Sequence, residues 1–244
     1  MPNTTYPASV GTLRGYLATP DGTGPWPGVV VIHEAFGLTD DIRRQADRFA
    51  AEGYLAFAPD LYSYGFAPKC LVATMRVMFR GGGGRAVDDI EAARAFLVAR
   101  DDCTGKVGVA GFCMGGAFAI LAATRGFDAA APNYGLVPKD AETALRGACA
   151  TVGSYGAKDT GLRGSAQRLE RALTNLGIDH DVKEYPNAGH GFMTEHTGNW
   201  WWAERIPMMG YVEDAADDAW SRMFAFFGKH LGGATGSGSD ATPA

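Results

Sequence analysis

The apolar positions of this chain fall into two patterns, short continuous runs and helical three-to-four-residue spacings, and the two alternate from end to end. Residues 28–33 (GVVVIH) form an unbroken apolar run, the mark of a strand buried on both faces of a parallel sheet. Residues 10–19, 54–58, 129–134, 149–155 and 181–185 read as further strands, with a turn over 20–25 (PDGTGP). Between them, Ile42, Ala46, Phe49 and Ala50 share one face of a helix that Thr39 or Asp40 can cap, running to Ala51 and stopped by Gly53. Ile90, Ala93, Phe96 and Leu97 do the same over 85–100, and helices are also predicted over 71–80, 162–176 and 212–230. Glycines 81–84 break the chain after the first of these three. Alternation of this kind predicts an α/β fold, a mostly parallel sheet with helices on both faces, as a single domain over 1–231. Residues 232–244 are rich in Gly, Ser and Thr without periodicity and read as a disordered tail.

In such sheets the chemistry collects at the carboxyl ends of the strands. There the chain carries its most informative stretch, Lys106 to Gly116 (KVGVAGFCMGG). A β-prone run ends in Gly-x-Cys-x-Gly-Gly, and an Ala-rich helical run follows at once. This is the pattern of a nucleophile elbow with Cys113 at the nucleophile position. The turn is so tight that only glycines at 111 and 115 let strand and helix pass. The helix start aims its unsatisfied N–H groups at the sulfur, favouring a thiolate and any oxyanion nearby. The alternative is a buried structural cysteine in a Gly-rich strand–helix turn.

Loops after two later strands hold Asp159 (GSYGAKD) and His190 (YPNAGHGF). Nucleophile, acid, histidine is the chain order of α/β-hydrolases and differs from that of chymotrypsin or subtilisin. A lone loop Asp is ordinarily a cap or turn-former and a lone His ordinarily structural; order, spacing and topology together point to a triad. Glu34 follows the buried strand directly, where this fold places half of an oxyanion hole, and backbone N–H groups of Ala35 and Met114 are candidates to complete it. Glu34 could accept a proton or hold the thiol, or it could cap the 39–51 helix from upstream.

Composition narrows the classes. A 244-residue chain with net charge −5 argues against nucleic acid or an anionic membrane as the main partner. No apolar run suits a membrane span or a signal peptide, so a cytoplasmic location is expected. The four cysteines, Cys70, Cys103, Cys113 and Cys149, form neither a disulfide framework nor a zinc pattern. No cofactor and no metal are expected, because a Cys–His pair with oxyanion donors is a complete acyl-transfer apparatus.

The stretches HEAFGL (33–38), PDLY (59–62), GFCMGG (111–116) and AGHGF (188–192) resemble the dienelactone hydrolase family over about residues 10–227. The resemblance implies Cys113 as nucleophile, His190 as base and later acid, and Asp159 as the orienting carboxylate. It implies that Glu34 pairs with the resting cysteine and accepts its proton when substrate binds, on the way to an acyl-thioester. Family members hold a substrate carboxylate with arginines; one of those positions is Thr194 here, and Arg76 and Arg80 are candidates for the other. Phe36, Tyr134 and Trp201 are further candidates to contact substrate. Tyr134 could equally cap the core, and Trp200–Trp202 could be a pocket wall, a packed corner or a contact with another chain. The expected substrate is a small lactone or ester, and the protein a monomer or homodimer. Rival readings are a general carboxylesterase or thioesterase with the same triad, a thiol redox sensor, and a silent binding module on a hydrolase scaffold.

Overall fold

The computed structural model describes residues 3–9, 11–65, 69, 72, 84–195 and 210–232. The strands are β1 (Thr4–Ala8), β2 (Gly11–Ala18), β3 (Trp26–Ile32), β4 (Leu55–Pro59), β5 (Cys103–Phe112), β6 (Ala129–Asn133), β7 (Ala150–Gly156) and β8 (His180–Tyr185). They form one sheet in the order β1-β2-β4-β3-β5-β6-β7-β8. From β4 to β8 every neighbouring pair is parallel, while β1 and β2 add an antiparallel edge. The mostly parallel sheet expected from the apolar runs is what the chain forms.

Among the described residues six α-helices pack on it: α1 (Asp40–Ala51), α2 (Arg85–Val98), α3 (Met114–Ala122), α4 (Ala141–Ala144), α5 (Ser165–Leu176) and α6 (Glu213–Leu231). The period-two alternation of strand side chains divides the core between the two faces. Val29, Val31, Ala110 and Phe112 pack with Phe49 of α1 and with Trp220 and Phe227 of α6. Val30, Ile32, Val107 and Val109 pack on the other face with Ile90 and Leu97 of α2 and Phe118 of α3. Both faces of β3 are therefore covered, which is why its sequence has no polar alternation. Among the described residues no helix is long and apolar enough to cross a membrane.

Departures from the sequence reading are local. The strand expected over 10–19 is the second arm of a hairpin whose first arm, β1, contains Pro7; at a sheet edge the missing N–H costs no ladder bond that matters. The helix expected over 162–176 is split. Thr160–Leu162 forms a 3-10 turn, and Gly164, at φ 75°, separates it from α5. Helix α4 is a single turn capped by Asp140, too short for any periodic signal. Of the two cap candidates for α1, Thr39 is used, its side chain accepting from the Ile42 N–H. The expected helix over 71–80, apart from residue 72, and the 233–244 part of the tail lie outside the described residues.

Candidate active site

Cys113 sits between the end of β5 and the first residue of α3, with φ 55° and ψ −115°. Among the described residues only Cys113 and Tyr134 are non-glycine residues at positive φ, and both belong to this site. The strain persists because the surrounding backbone allows no other path. A Cβ on Gly111 would lie 2.0 Å from the Gly115 carbonyl oxygen, and one on Gly115 would lie 2.2 Å from that of Ile32. Gly116 belongs to the same set, its Cβ position being 2.4 Å from the Asn133 oxygen. The glycines thus let α3 lie against the ends of β3, β5 and β6. Cys113 is half-buried.

Asp159 and His190, 31 residues apart, meet at 2.6 Å between Asp159 Oδ2 and His190 Nδ1. The other carboxylate oxygen of Asp159 accepts the Gly161 N–H at 3.0 Å. Asp159 is therefore a cap and a histidine partner at once, and the cap fixes the carboxylate's orientation. Gly156 makes room for the histidine loop: a Cβ there would lie 2.5 Å from the Gly189 oxygen. With Nδ1 committed to Asp159, Nε2 is the ring nitrogen left to interact with Cys113. Burial opposes a charge on the ring, but the hydrogen bonds to Asp159 and Cys113, with the charges of both, outweigh it and raise His190 from its usual 6.5 to about 10.

That shift has a pH signature. An imidazole with a higher pKa folded than unfolded stabilises the fold fully below about 6.5 and loses that contribution as pH rises through about 10. Asp159→Asn keeps an acceptor for Gly161 but removes the charge that holds the proton. It is expected to lower the denaturant midpoint more at about pH 6 than at about pH 10. Equal losses at both pH values would contradict the placement of the charge.

Glu34, Ala35 and Phe36 leave β3 in a turn, with Glu34 buried and Ala35 and Phe36 half-buried. His33, fully buried, orients this turn. The Leu61 N–H donates to His33 Nε2 at 3.2 Å, so the ring proton is on Nδ1, which donates to the Glu34 carbonyl oxygen at 2.7 Å. Burial lowers the His33 pKa and keeps the ring neutral. The Gly37 N–H also donates to the Glu34 oxygen, at 3.1 Å. In a trans peptide the next N–H points the opposite way, so the Ala35 N–H is turned from these partners. The Met114 N–H, first of its helix, has no intrahelical acceptor. The Tyr62 hydroxyl ties the two together, 3.2 Å from the Ala35 oxygen and 3.5 Å from Met114 Sδ.

Three side chains that sequence reasoning left out or placed differently surround Glu34. Thr194 donates to Glu34 Oε1 at 3.1 Å, and its oxygen lies 2.9 Å from the Tyr134 hydroxyl and 3.1 Å from Gln45 Nε2. Tyr134 is buried, and its ring meets the His190 ring edge-on at 5.4 Å. Gln45 and Thr194 carry no sequence signal of their own, being 149 residues apart. Arg76, Arg80, Trp201 and its two neighbours, and Cys70 lie outside the described residues. Of the other cysteines, burial raises Cys149 to about 12 and also raises Cys103, which makes both poor nucleophiles. Among the described residues no group of three or more His, Cys, Asp or Glu side chains is placed to hold a metal ion.

The chain and its fold have known relatives. A model of the dienelactone hydrolase family matches residues 13–231. The Aquifex pyrophilus protein usf is 33% identical, over 90% of this chain and 94% of its own. A Synechocystis protein that carries the provisional name carboxymethylenebutenolidase is 29% identical, over 90% of this chain and 92% of its own. A crystal structure from Klebsiella pneumoniae, provisionally described as a dienelactone hydrolase, superposes with a TM-score of 0.74 at 27% identity, covering 93% of this chain and 97% of the other. The chain belongs to the dienelactone hydrolase family and has its α/β-hydrolase fold.

Proposed function

We propose that the protein hydrolyses a small lactone or carboxylic ester through a Cys113–His190–Asp159 triad and an acyl-thioester intermediate. The observation that carries this reading is a histidine oriented by a capped carboxylate, together with a strained, half-buried Cys113 at a helix start.

Glu34 takes the thiol proton as substrate binds, and Cys113 Sγ attacks the carbonyl carbon. The carbonyl π pair moves to oxygen, and the Ala35 and Met114 N–H groups receive the resulting oxyanion. When the tetrahedral adduct collapses, the C–O bond to the leaving alkoxide breaks. His190, protonated beside the Asp159 carboxylate, gives its proton to that oxygen. The acyl group is now a thioester on Cys113, and His190 is neutral. It takes a proton from water as the water oxygen attacks, the C–S bond breaks, and the acid product leaves. Glu34 returns its proton to the sulfur. Asp159 keeps Nδ1 protonated throughout, so Nε2 faces the reaction.

The general carboxylesterase or thioesterase reading is favoured by Thr194. This is a position where family members hold a substrate carboxylate with arginine, yet Thr194 is 1% exposed with its hydroxyl committed to protein partners. We therefore expect neutral p-nitrophenyl esters and unsubstituted lactones to be turned over at least as fast, by kcat/KM, as lactones bearing a carboxylate. A preference of more than about tenfold for the carboxylate-bearing lactones would reinstate a cationic subsite. Free Cys103, Cys113 and Cys149 and a thiol nucleophile support a reducing, cytoplasmic setting.

A further inference from the structure

We propose that Thr194, held by Tyr134 and Gln45, is a positioning residue that fixes the Glu34 carboxyl group for its proton-accepting role. This rests on the reading of Glu34 given above.

The bonding pattern is directional. Thr194 has one hydroxyl proton, and it goes to Glu34 Oε1 at 3.1 Å. The contacts at 2.9 Å to the Tyr134 hydroxyl and 3.1 Å to Gln45 Nε2 must then be ones in which Thr194 accepts. Gln45 presents its amide NH2 and Tyr134 its O–H. Burial, and then the charge of Glu34, raises Tyr134 well above its ordinary value of 10, so it keeps the proton it donates. The hydroxyl of Thr194 has its donor and both lone pairs in use.

This saturated hydroxyl draws on four parts of the fold: the end of β3 through Glu34, α1 through Gln45, the end of β6 through Tyr134, and the loop after His190 through Thr194 itself. Thr194, Gln45 and Glu34 are 1%, 6% and 5% exposed, so water does not substitute freely for any member. Tyr134 contributes at a cost, since its φ of 38° is in the left-handed region a tyrosine rarely adopts. That backbone places one tyrosine against the His190 ring and, through its hydroxyl, on the partner of Glu34. A valine would fill the space of Thr194 equally well, which separates packing from hydrogen bonding.

The test compares Thr194→Val and Thr194→Ser in the wild-type and Glu34→Gln backgrounds, using p-nitrophenyl acetate turnover with melting temperature alongside. Thr194→Val is expected to lower kcat/KM about tenfold or more, as loss of a buried hydrogen bond to a charged group does. Thr194→Ser, which keeps the hydroxyl, is expected to restore most of the rate. In the Glu34→Gln background, Thr194→Val is expected to change the residual rate less than about twofold, because no carboxylate remains to be held. Tyr134→Phe removes one donor without emptying the site. It is expected to lower the rate in the same background-dependent way, and it carries the test if Thr194→Val does not fold. An impaired Glu34→Gln with an unimpaired Thr194→Val, or a Thr194→Val loss of the same size in both backgrounds, overturns the proposal alone. Full activity in Glu34→Gln overturns the reading of Glu34 and the proposal with it.

Discussion

Cys113→Ala is expected to lower ester turnover by about 10⁴-fold or more while the protein stays folded, since the nucleophile of a cooperating triad is removed outright. The fold survives because Cys113 is half-buried and lies at the edge of both apolar layers. Replacement by glycine sharpens the result. At φ 55° an alanine retains the strain that cysteine bears, whereas glycine does not. Cys113→Gly should be as inactive as Cys113→Ala yet more stable than it by about 1–2 kcal/mol, or a few degrees in Tm. Calorimetry on the two variants, with p-nitrophenyl acetate assays, checks both halves. An alanine variant melting above the glycine variant would show that the backbone at 113 is not strained.

Gly115→Ala is expected to be strongly damaging to the elbow, as is Gly111→Ala, whose Cβ would lie 2.0 Å from the Gly115 oxygen. At position 115 the new Cβ would lie 2.2 Å from the Ile32 oxygen and 2.9 Å from the His33 oxygen, both backbone atoms at the end of β3. Neither can rotate away as a side-chain tip would, so α3 must lift off the sheet. Loss of about 3 kcal/mol or more, roughly 10 °C in Tm, is the expected outcome, with activity lost in whatever folds. Gly147→Ala is the control. Gly147, unlike Gly115, has positive φ, but nothing lies within 4 Å of its Cβ position, so its substitution carries only the backbone penalty of about 1–2 kcal/mol. Chemical denaturation of the two variants distinguishes them; a Gly115→Ala protein as stable as Gly147→Ala would show that the elbow has slack.

These contrasts explain what the sequence could and could not disclose. The elbow was legible because a strained turn between strand and helix permits almost nothing but glycine at 111 and 115, and that restriction is written in neighbouring letters. The unbroken apolar run of β3 was legible for a similar reason, since burial on both faces removes every polar position. Asp159 was legible as a candidate from its place after a strand, but its double use, as cap for Gly161 and partner for His190, needed the two loops to be seen together. The Glu34 cluster was not legible. Gln45 lies on the face of α1 that periodicity assigns to packing, Thr194 stands out only as the place of a family arginine, and 160 residues separate Thr194 from Glu34. No local pattern encodes a hydrogen bond of that span. β1 escaped because proline in a short run ordinarily argues against a strand, and only its place at the sheet edge makes Pro7 acceptable.

The two strained non-glycine residues mark the two halves of the site. Cys113 lies in the elbow, and Tyr134 lies between the His190 ring and Thr194, which donates to Glu34. Around Cys113 lie groups whose proton positions are fixed from outside: His190 by Asp159, and Thr194 by Tyr134 and Gln45. Acyl transfer, as proposed here, would use such an arrangement, whereas the redox-sensor and silent-scaffold readings give it no role.

The most direct test of the account is to follow p-nitrophenyl acetate hydrolysis during titration with iodoacetamide, while peptide mass spectrometry maps which cysteine is alkylated. The burial-raised thiols of Cys103 and Cys149 should react slowly, and turnover should fall in proportion to alkylation of Cys113. Turnover that persists after Cys113 is fully alkylated would contradict the assignment of Cys113 as the nucleophile.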